Sequence, residues 1–473
     1  MITKSVKLLS ATVILCCLVI VNLSLADVFA VSGSKPAPRN ELIEHGPWIL
    51  IPGPNPLIKV GKEGSWDDRI LEASNFIKDG DTYYFYYHAQ GQRPDQQGYR
   101  IGVATAPRPL GPFKRYGNKP IVDLGPDGSW DSGSVACAAI LKEKADTFYM
   151  WYWASRGGGH TGLAYASSPL GPWKKYEGNP VLKDFGYVGG VVKVNGKYHM
   201  YNTYPLNSTS PDQGPICLAT AEKPEGPWKK YAGNPVVPAG EWGAWDDGGY
   251  SEAGMLYHEG VFHTFYAGVK WKKLESIGYA YSFDGINFIK YGGNPVAPRE
   301  HNPDAAAFAE VHGFWESPLF YVYHTIRYTS RGTMDRTRGG EELGVQIIAT
   351  RTPFSLAMPV LSVDSLSAGG STKLSDCPPI CLESISEFAL NVECNYDTNA
   401  KAGLRVLVFA SWDGLKYDTE PLYSFDIRSA GGQRVSKTVP LDAKVMFIKV
   451  IVENPDKAND VDDVQVTATL GHK

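Results

Sequence analysis

A chain of 473 residues is long enough for two or three domains, and its 43 % apolar content supports a sizeable core. The formal net charge is −4 with no long basic run, which argues against nucleic acid as a partner. Fifty Gly and 33 Pro imply many turns, and 12 % aromatic residues suit strands.

The first element is a targeting segment. Lys4 and Lys7 precede the apolar run LLSATVILCCLVIVNLSL, and small residues then offer cleavage after Ala26 or Ala30. Residues 1–30 are therefore expected to be a signal peptide, which places the mature chain in a secreted or periplasmic setting. An uncleaved anchor is the alternative reading of the same run. No other stretch is apolar enough to cross a membrane, so no membrane partner is expected beyond this segment. Residues 31–44 read as a linker.

From residue 46 onward one phrase recurs. GPWILIPGPNPL (46–57) returns as GPFKRYGNKPIV (111–122), GPWKKYEGNPV (171–181), GPWKKYAGNPVV (226–237) and, more weakly, DGINFIKYGGNPV (284–296). The shared asparagines, Asn55, Asn118, Asn179, Asn234 and Asn294, are 63, 61, 55 and 60 residues apart. Turn-then-aromatic strands run between them: DGDTYYFYYHA (79–89), ADTFYMWYWAS (145–155), NGKYHMYNTYP (195–205), EGVFHTFYAGV (259–269) and SPLFYVYHTIR (317–327). A short strand of small and apolar residues follows each. Every unit is thus several β-strands with turn chemistry between them and no helical period. About four strands in a repeat of this size is the sign of a propeller blade. Five units predict an all-β fold, with a five-bladed β-propeller over 45–358. The fifth unit ends at TRTPF without its own GPW…NP phrase. The spare copy at 46–57 is expected to complete the last blade and close the ring, which removes two exposed sheet edges.

Residues 359–376, rich in Ser, Gly and Asp, read as a linker. Alternating strands over 377–473, among them LRVLVFASW and MFIKVIVEN, read as a C-terminal β-sandwich. Cys377, Cys381 and Cys394 lack a fourth ligand for a structural zinc. A bridge within DCPPIC and buried free thiols stand as equal alternatives.

WD-tagged repeats with DGDTYYFYY- and NGKYHMYNT-type strands resemble the secreted glycoside hydrolases of families 43, 32, 68 and 117, over roughly residues 45–356. Invertase-type NDPNG and RDP motifs are absent, and LEASNFI stands where family 43 has an Asp-Pro. The resemblance implies an axial pocket lined by carboxylates from the starts of the innermost strands. It implies an oligo- or polysaccharide substrate and a small β-sandwich at the C-terminus. It further implies no required cofactor, and a structural divalent cation such as calcium on the axis beside a histidine, here His312 or His324.

Glycosidic cleavage needs a carboxylic acid to protonate the leaving oxygen and a carboxylate as base or nucleophile. A third carboxylate tunes the acid by repulsion. Three units carry a tag ahead of the aromatic strand: GSWDDRILEAS (64–74), GSWDSGSVACA (128–138) and GAWDDGGYSEA (243–253). Alignment through the aromatic strands pairs Glu72 with Glu252. The repeated first Asp of each tag fits a turn cap as well as it fits chemistry. Departures from the repeat say more: Glu252 and Glu310 interrupt apolar stretches, where an unpaired carboxylate is costly to bury. Glu252 is therefore the expected acid, Asp67 or Asp68 the base and Asp131 the third carboxylate, with Glu310 a further catalytic candidate. Trp66, Trp130 and Trp245, at strand starts, are expected at the pocket rim. His312, Arg327 and Arg331 complete the binding set, the arginines because their forks suit acidic groups. A solvated loop over 327–342 and hydrogen-bonded structural histidines are the competing readings. The function expected is a secreted glycosidase working by carboxylate acid/base chemistry. A glycan-binding propeller without catalysis and a glycoside phosphorylase are the alternatives.

Overall fold

The computed structural model describes residues 48–156, 159–203, 214–270, 275–298, 307–328, 341–442 and 444–473. The expected signal segment, the 31–44 linker and Arg331 lie outside the described residues. Among those residues there is no α-helix, only strands, turns and short 3-10 segments such as Pro94–Gln96. No helix among them is long and apolar enough to cross a membrane.

Five antiparallel groups follow the sequence repeat. Their first strands are Ile70–Asp79, Ser134–Lys144, Tyr187–Val194, Tyr250–His258 and Ala307–Glu316. Each pairs with the aromatic strand after it, and that strand pairs with a third of small and apolar residues. A short strand from the repeated phrase lies outermost, as at Lys114–Arg115 and Lys229–Lys230. In the fifth group the outer strand is Ile49–Pro52, which pairs with Glu342–Ala349 from Ile49↔Ala349 to Pro52↔Gln346. The first strands adjoin in chain order and the fifth adjoins the first, so they form a closed cycle. Ion pairs tie neighbouring first strands at their far ends, with Lys78 2.6 Å from Glu316, Lys142 on Asp79 and Lys193 on Glu143.

The aromatic runs are dense because both faces of these strands are covered. Side chains alternate: Tyr83, Phe85 and Tyr87 enter one buried cluster, while Tyr84 and Tyr86 enter the cluster on the other side. A strand buried on both faces reads as a continuous apolar run.

The repeated Asn-Pro has a physical explanation. In four copies the Asn side chain acts as one more rung of the ladder. Asn234 Oδ1 accepts from the Leu218 N–H at 2.7 Å, and its Nδ2 donates to the Leu218 carbonyl at 3.0 Å. Asn55 serves Val345, Asn179 serves Leu163 and Asn294 serves Tyr279 in the same way. Two part-buried hydrogen bonds are worth about 1–3 kcal/mol net. Asn234→Ala is therefore expected to lower unfolding free energy by that amount in urea titration. An unchanged midpoint would mean that the outer turn carries no stability.

The tag tryptophans and aspartates, expected at the pocket rim and in the chemistry, take part in the packing of the repeat. Trp66 stacks on Tyr87 with ring centroids 5.9 Å apart, Trp130 on Tyr152 at 6.0 Å and Trp245 on Tyr266 at 5.9 Å. Each stack covers a third-strand glycine. A Cβ at Gly162 would lie 2.5 Å from Tyr152 and 2.7 Å from Trp130, so no larger residue fits. Asp67 accepts from Ser65 Oγ at 2.8 Å and Arg115 Nε at 2.7 Å. Asp131 accepts from Ser129 Oγ at 2.8 Å and Lys175 Nζ at 2.6 Å. Asp68 caps a turn, accepting from the Gly64 N–H at 2.7 Å and the Gln92 N–H at 2.8 Å. These carboxylates hold the tag against the outer strand and the turn, and both oxygens of each accept a hydrogen bond there.

Two further four-stranded antiparallel sheets follow. One orders Phe354–Leu366, Val461–His472, Glu387–Tyr396 and Arg434–Leu441; the other orders Ile380–Cys381, Phe447–Glu453, Leu404–Ser411 and Tyr423–Ile427. The stretch expected as a linker from 359 is thus strand as far as Leu366, paired from Phe354↔His472 to Leu366↔Val461. Its Ser and Asp residues, Ser362, Asp364 and Ser365, are the exposed positions of a strand that buries Val360, Leu361 and Leu366. One buried cluster joins these sheets to the first and fifth groups, Met358 and Leu390 sharing it with Phe85 and Val345. Cys137, Cys217, Cys377, Cys381 and Cys394 are all buried free thiols, so DCPPIC contains no bridge.

Candidate functional site

Every first strand breaks register near its start, at Ala73/Asn75, Ala136/Ala139, Val188/Gly190, Tyr250/Ala253 and Ala309/His312, and Ser134–Lys144 does so again at Lys142/Lys144. A bulge bends the strand and re-aims its side chains. Asn75, Ala139, Gly190, Gly254 and His312 pair with matching aromatic-strand residues. Two residues earlier stand Ala73, Cys137, Val188, Glu252 and Glu310. Counted back from those pairs, Glu252 stands with Cys137 and Glu310, although its own bulge falls one residue earlier in register, and Glu72 lies one residue ahead of that position. This corrects the pairing of Glu72 with Glu252, because bulge residues cannot be counted from sequence. Cys137 and Glu310 have φ of 50° and 45°, a left-handed conformation that costs an L-residue roughly 1–2 kcal/mol.

Around these bulges the chain gathers four buried glutamates, a half-buried fifth, Glu341, and the half-buried Arg327. Arg327, the last residue of the strand Leu319–Arg327, donates through Nη1 to both oxygens of Glu275 at 2.9 Å. Its Nη2 donates to Glu310 Oε1 at 2.8 Å and lies 3.5 Å from Glu72 Oε1; its Nε donates to Glu341 at 3.0 Å. Glu72 also accepts from His88 Nε2 at 2.8 Å, and His88 Nδ1 meets Ser74 Oγ at 2.8 Å. Burial pushes His88 down to about 3, so the imidazole is neutral and the contact with Glu72 is a hydrogen bond rather than an ion pair. The Cys137 thiol donates to Glu252 Oε1 at 2.8 Å. Among the described residues the second oxygens of Glu252, Glu310 and Glu341 have no hydrogen-bond partner.

One cation against five carboxylates leaves charge that burial disfavours. Burial, and then repulsion from Glu310, holds Glu252 well above the usual carboxylate range. Burial pushes Glu310 up to about 7, against the attraction of Arg327. Glu72 is raised by burial and Glu310, and Glu341 is held well above the range by burial and Glu72. Environments that push two neighbouring carboxyls up to different extents are how one site keeps one protonated and the other ionised. Tyr187 borders the cluster: its phenol is raised to about 12 by burial and then by Cys137 and Glu252, yet the residue is 38 % exposed. Its ring lies 4.9 Å from Trp153.

Of the residues expected from sequence, Glu252, Glu310 and Arg327 come together here, and Asp67, Asp68, Asp131 and the tag tryptophans do not. Arg327 has every donor group committed to carboxylates, which corrects its expected role in binding substrate acids. Glu72, His88, Cys137, Glu275 and Glu341 are the additions. His88 breaking the run YYFYYHA was the available signal; Cys137 in VACAAI reads as core. His312 has no hydrogen-bond partner on either ring nitrogen among the described residues. His324 is packed at 4.6 Å on Phe308, with Nδ1 3.1 Å from the Thr325 carbonyl. Calcium takes six to eight oxygen ligands. The ring nitrogens of His312 and His324 are not oxygen ligands and do not fit that ion.

The chain matches no protein-family model and no curated protein sequence. Its fold is similar to those of solved glycoside hydrolases. A family 117 glycoside hydrolase of the marine bacterium Zobellia galactanivorans is 18 % identical, with 66 % of this chain and 92 % of that one covered, at a TM-score of 0.47. A Bombyx mori family 32 beta-fructofuranosidase is 12 % identical, with 89 % and 95 % covered, at 0.47. A Bacillus subtilis family 43 arabinoxylan arabinofuranohydrolase is 13 % identical, with 89 % and 98 % covered, at 0.42. At such identities and TM-scores the likeness assigns no activity and no substrate to this chain.

Proposed function

We propose that this chain is an exported glycoside hydrolase. In this reading the five groups are the blades of a five-bladed propeller, with a β-sandwich after them, and the buried carboxylates lie at the propeller axis. The observation that carries it is the convergence of Glu252 and Glu310, each buried with one oxygen unpartnered among the described residues. Glu252, held well above the usual carboxylate range by burial and then by Glu310, is the proton donor and gives its proton to the glycosidic oxygen as the C–O bond breaks. Glu310, held by Arg327, is the ionised partner that activates water or adds to the anomeric carbon. Tyr187 and Trp153, partly exposed beside the acids, serve as the sugar platform. The same positions carry Ala73, Cys137 and Val188 in the other three groups, so the acid pair comes from the fourth and fifth. An acidic sugar or phosphate finds no free fork on Arg327.

The test is sugar release by the mature protein from neutral, uronic and sulfated oligosaccharides, with and without phosphate. Phosphate-dependent release alone would replace hydrolysis by phosphorolysis, and binding without release would favour a glycan-binding propeller. Asp131→Asn is expected to lower the thermal midpoint while leaving turnover per folded molecule unchanged. Turnover lost in a folded Asp131→Asn protein would return that residue to the chemistry.

The rate is expected to be bell-shaped in pH. Glu310 must lose its proton, so the acid limb has its midpoint near 7, its raised value. Glu252 must keep its proton, so the rate falls again at higher pH. A pH–rate profile of kcat/KM checks this, and a limb near 4.5, the ordinary glutamate value, would remove Glu310 from the role.

A further inference from the structure

We propose that His88, Cys137 and Glu252 form a binding site for a thiophilic divalent cation of the zinc class. The three come from the first, second and fourth groups, and their ligand atoms lie within 4.8 Å of one another. All are at least 95 % buried.

The arrangement is more than a cluster of polar groups. Glu252 uses one oxygen to accept from Cys137 Sγ, and its other oxygen is buried without a partner among the described residues. A thiol and a carboxyl in contact hold protons that a cation replaces, and such ligands bind metal as their conjugate bases. His88 is already set as a ligating histidine is. One ring nitrogen, Nε2, is engaged at 2.8 Å by the Glu72 carboxylate, and Nδ1 faces the Cys137 backbone N–H at 3.4 Å. A carboxylate on the far nitrogen fixes the tautomer and leaves the near lone pair for a metal. The nearer partner of Nδ1 is the uncharged Ser74 hydroxyl at 2.8 Å, which a cation displaces or takes as a ligand, and the Cys137 N–H at 3.4 Å gives way with it.

Donor chemistry selects the ion. A thiolate, an imidazole and a carboxylate are the ligands of zinc-class sites, with a fourth position left open. Binding moves the Cys137 and Glu252 protons to solvent, and the cation takes their place. Only one consequence rests on the proposed hydrolase: a cation on Glu252 occupies the acid, so loading is expected to stop glycoside cleavage and a chelator to restore it.

The experiment is a Co²⁺ titration of the reduced, metal-free full chain. One equivalent is expected to produce a near-ultraviolet thiolate-to-cobalt charge-transfer band with the strong visible bands of four-coordinate cobalt, and Zn²⁺ is expected to bleach both. Cys137→Ser is expected to abolish the charge-transfer band, while Cys217→Ser, outside the site, keeps it. Glu72→Gln is expected to keep the band with affinity lowered about 10- to 100-fold, the usual cost of losing the residue that orients a ligand. If Cys137→Ser does not fold, loss of one-equivalent Co²⁺ binding in folded His88→Gln carries the same expectation. A band that survives in folded Cys137→Ser, or a folded wild-type chain without saturable one-equivalent binding, overturns the site. Sugar release with no metal binding sinks the metal site alone; metal binding with no release from any sugar sinks the hydrolase alone.

Discussion

Glu252→Gln is expected to lower hydrolysis about 10²- to 10⁴-fold, the usual contribution of a positioned general acid. The thermal midpoint should stay near that of the wild type. Glutamine matches the neutral, protonated carboxyl that burial and Glu310 enforce, and its Oε1 still accepts from Cys137 Sγ at the place Glu252 does. What is lost is the proton on the unpartnered oxygen. Leaving groups that need no proton therefore discriminate: an aryl glycoside with an acidic phenol should be cleaved by the variant far closer to the wild-type rate than a sugar–sugar bond is. Initial rates on the two substrate types measure this. Equal losses on both would mean that Glu252 shapes the pocket without donating a proton.

Arg327→Met should produce the largest loss of stability, about 3–5 kcal/mol, the typical result of leaving buried charge without its partner. Glu275, Glu310 and Glu341 each lose their hydrogen bonds to the guanidinium, and Glu72 loses its nearby cation. The effect depends on pH with a definite sign. Glu310 is raised in the folded chain, so the folded state holds its proton more tightly than the unfolded state does. Its favourable term is complete below 4.5 and is lost as pH rises through about 7. Removing Arg327 raises Glu310 further, so the deficit of the variant should be smaller near pH 5 than near pH 8. Urea titrations at the two pH values test it. A deficit independent of pH would mean that Arg327 acts through packing rather than charge.

The sequence located two of the acids and missed their company, for reasons visible at particular residues. Glu252 and Glu310 stood out because a carboxyl in an apolar strand demands an explanation. Asp67 and Asp131 looked equally acidic, yet their partners Arg115 and Lys175 sit in the outer strands of the following phrase, a pairing that only the folded group brings about. Cys137 carried no signal, since a cysteine among alanines is ordinary core. Glu275 and Glu341 fell at strand edges where charge is unremarkable. Arg327 read as a loop arginine free for substrate, and it is the half-buried hub of the glutamate cluster.

By itself the sequence determined the repeat, the all-strand composition and the spare phrase that pairs as the outer strand of the fifth group. Those follow from local rules: alternation, turn residues and the need to satisfy backbone groups act within tens of residues. Which carboxylates meet, and how their protons are distributed, was decided only by the closed cycle of first strands. Bulges there turn Cys137, Glu252 and Glu310 to matching places, and burial together with mutual repulsion, both properties of the assembled ring, sets their ionisation.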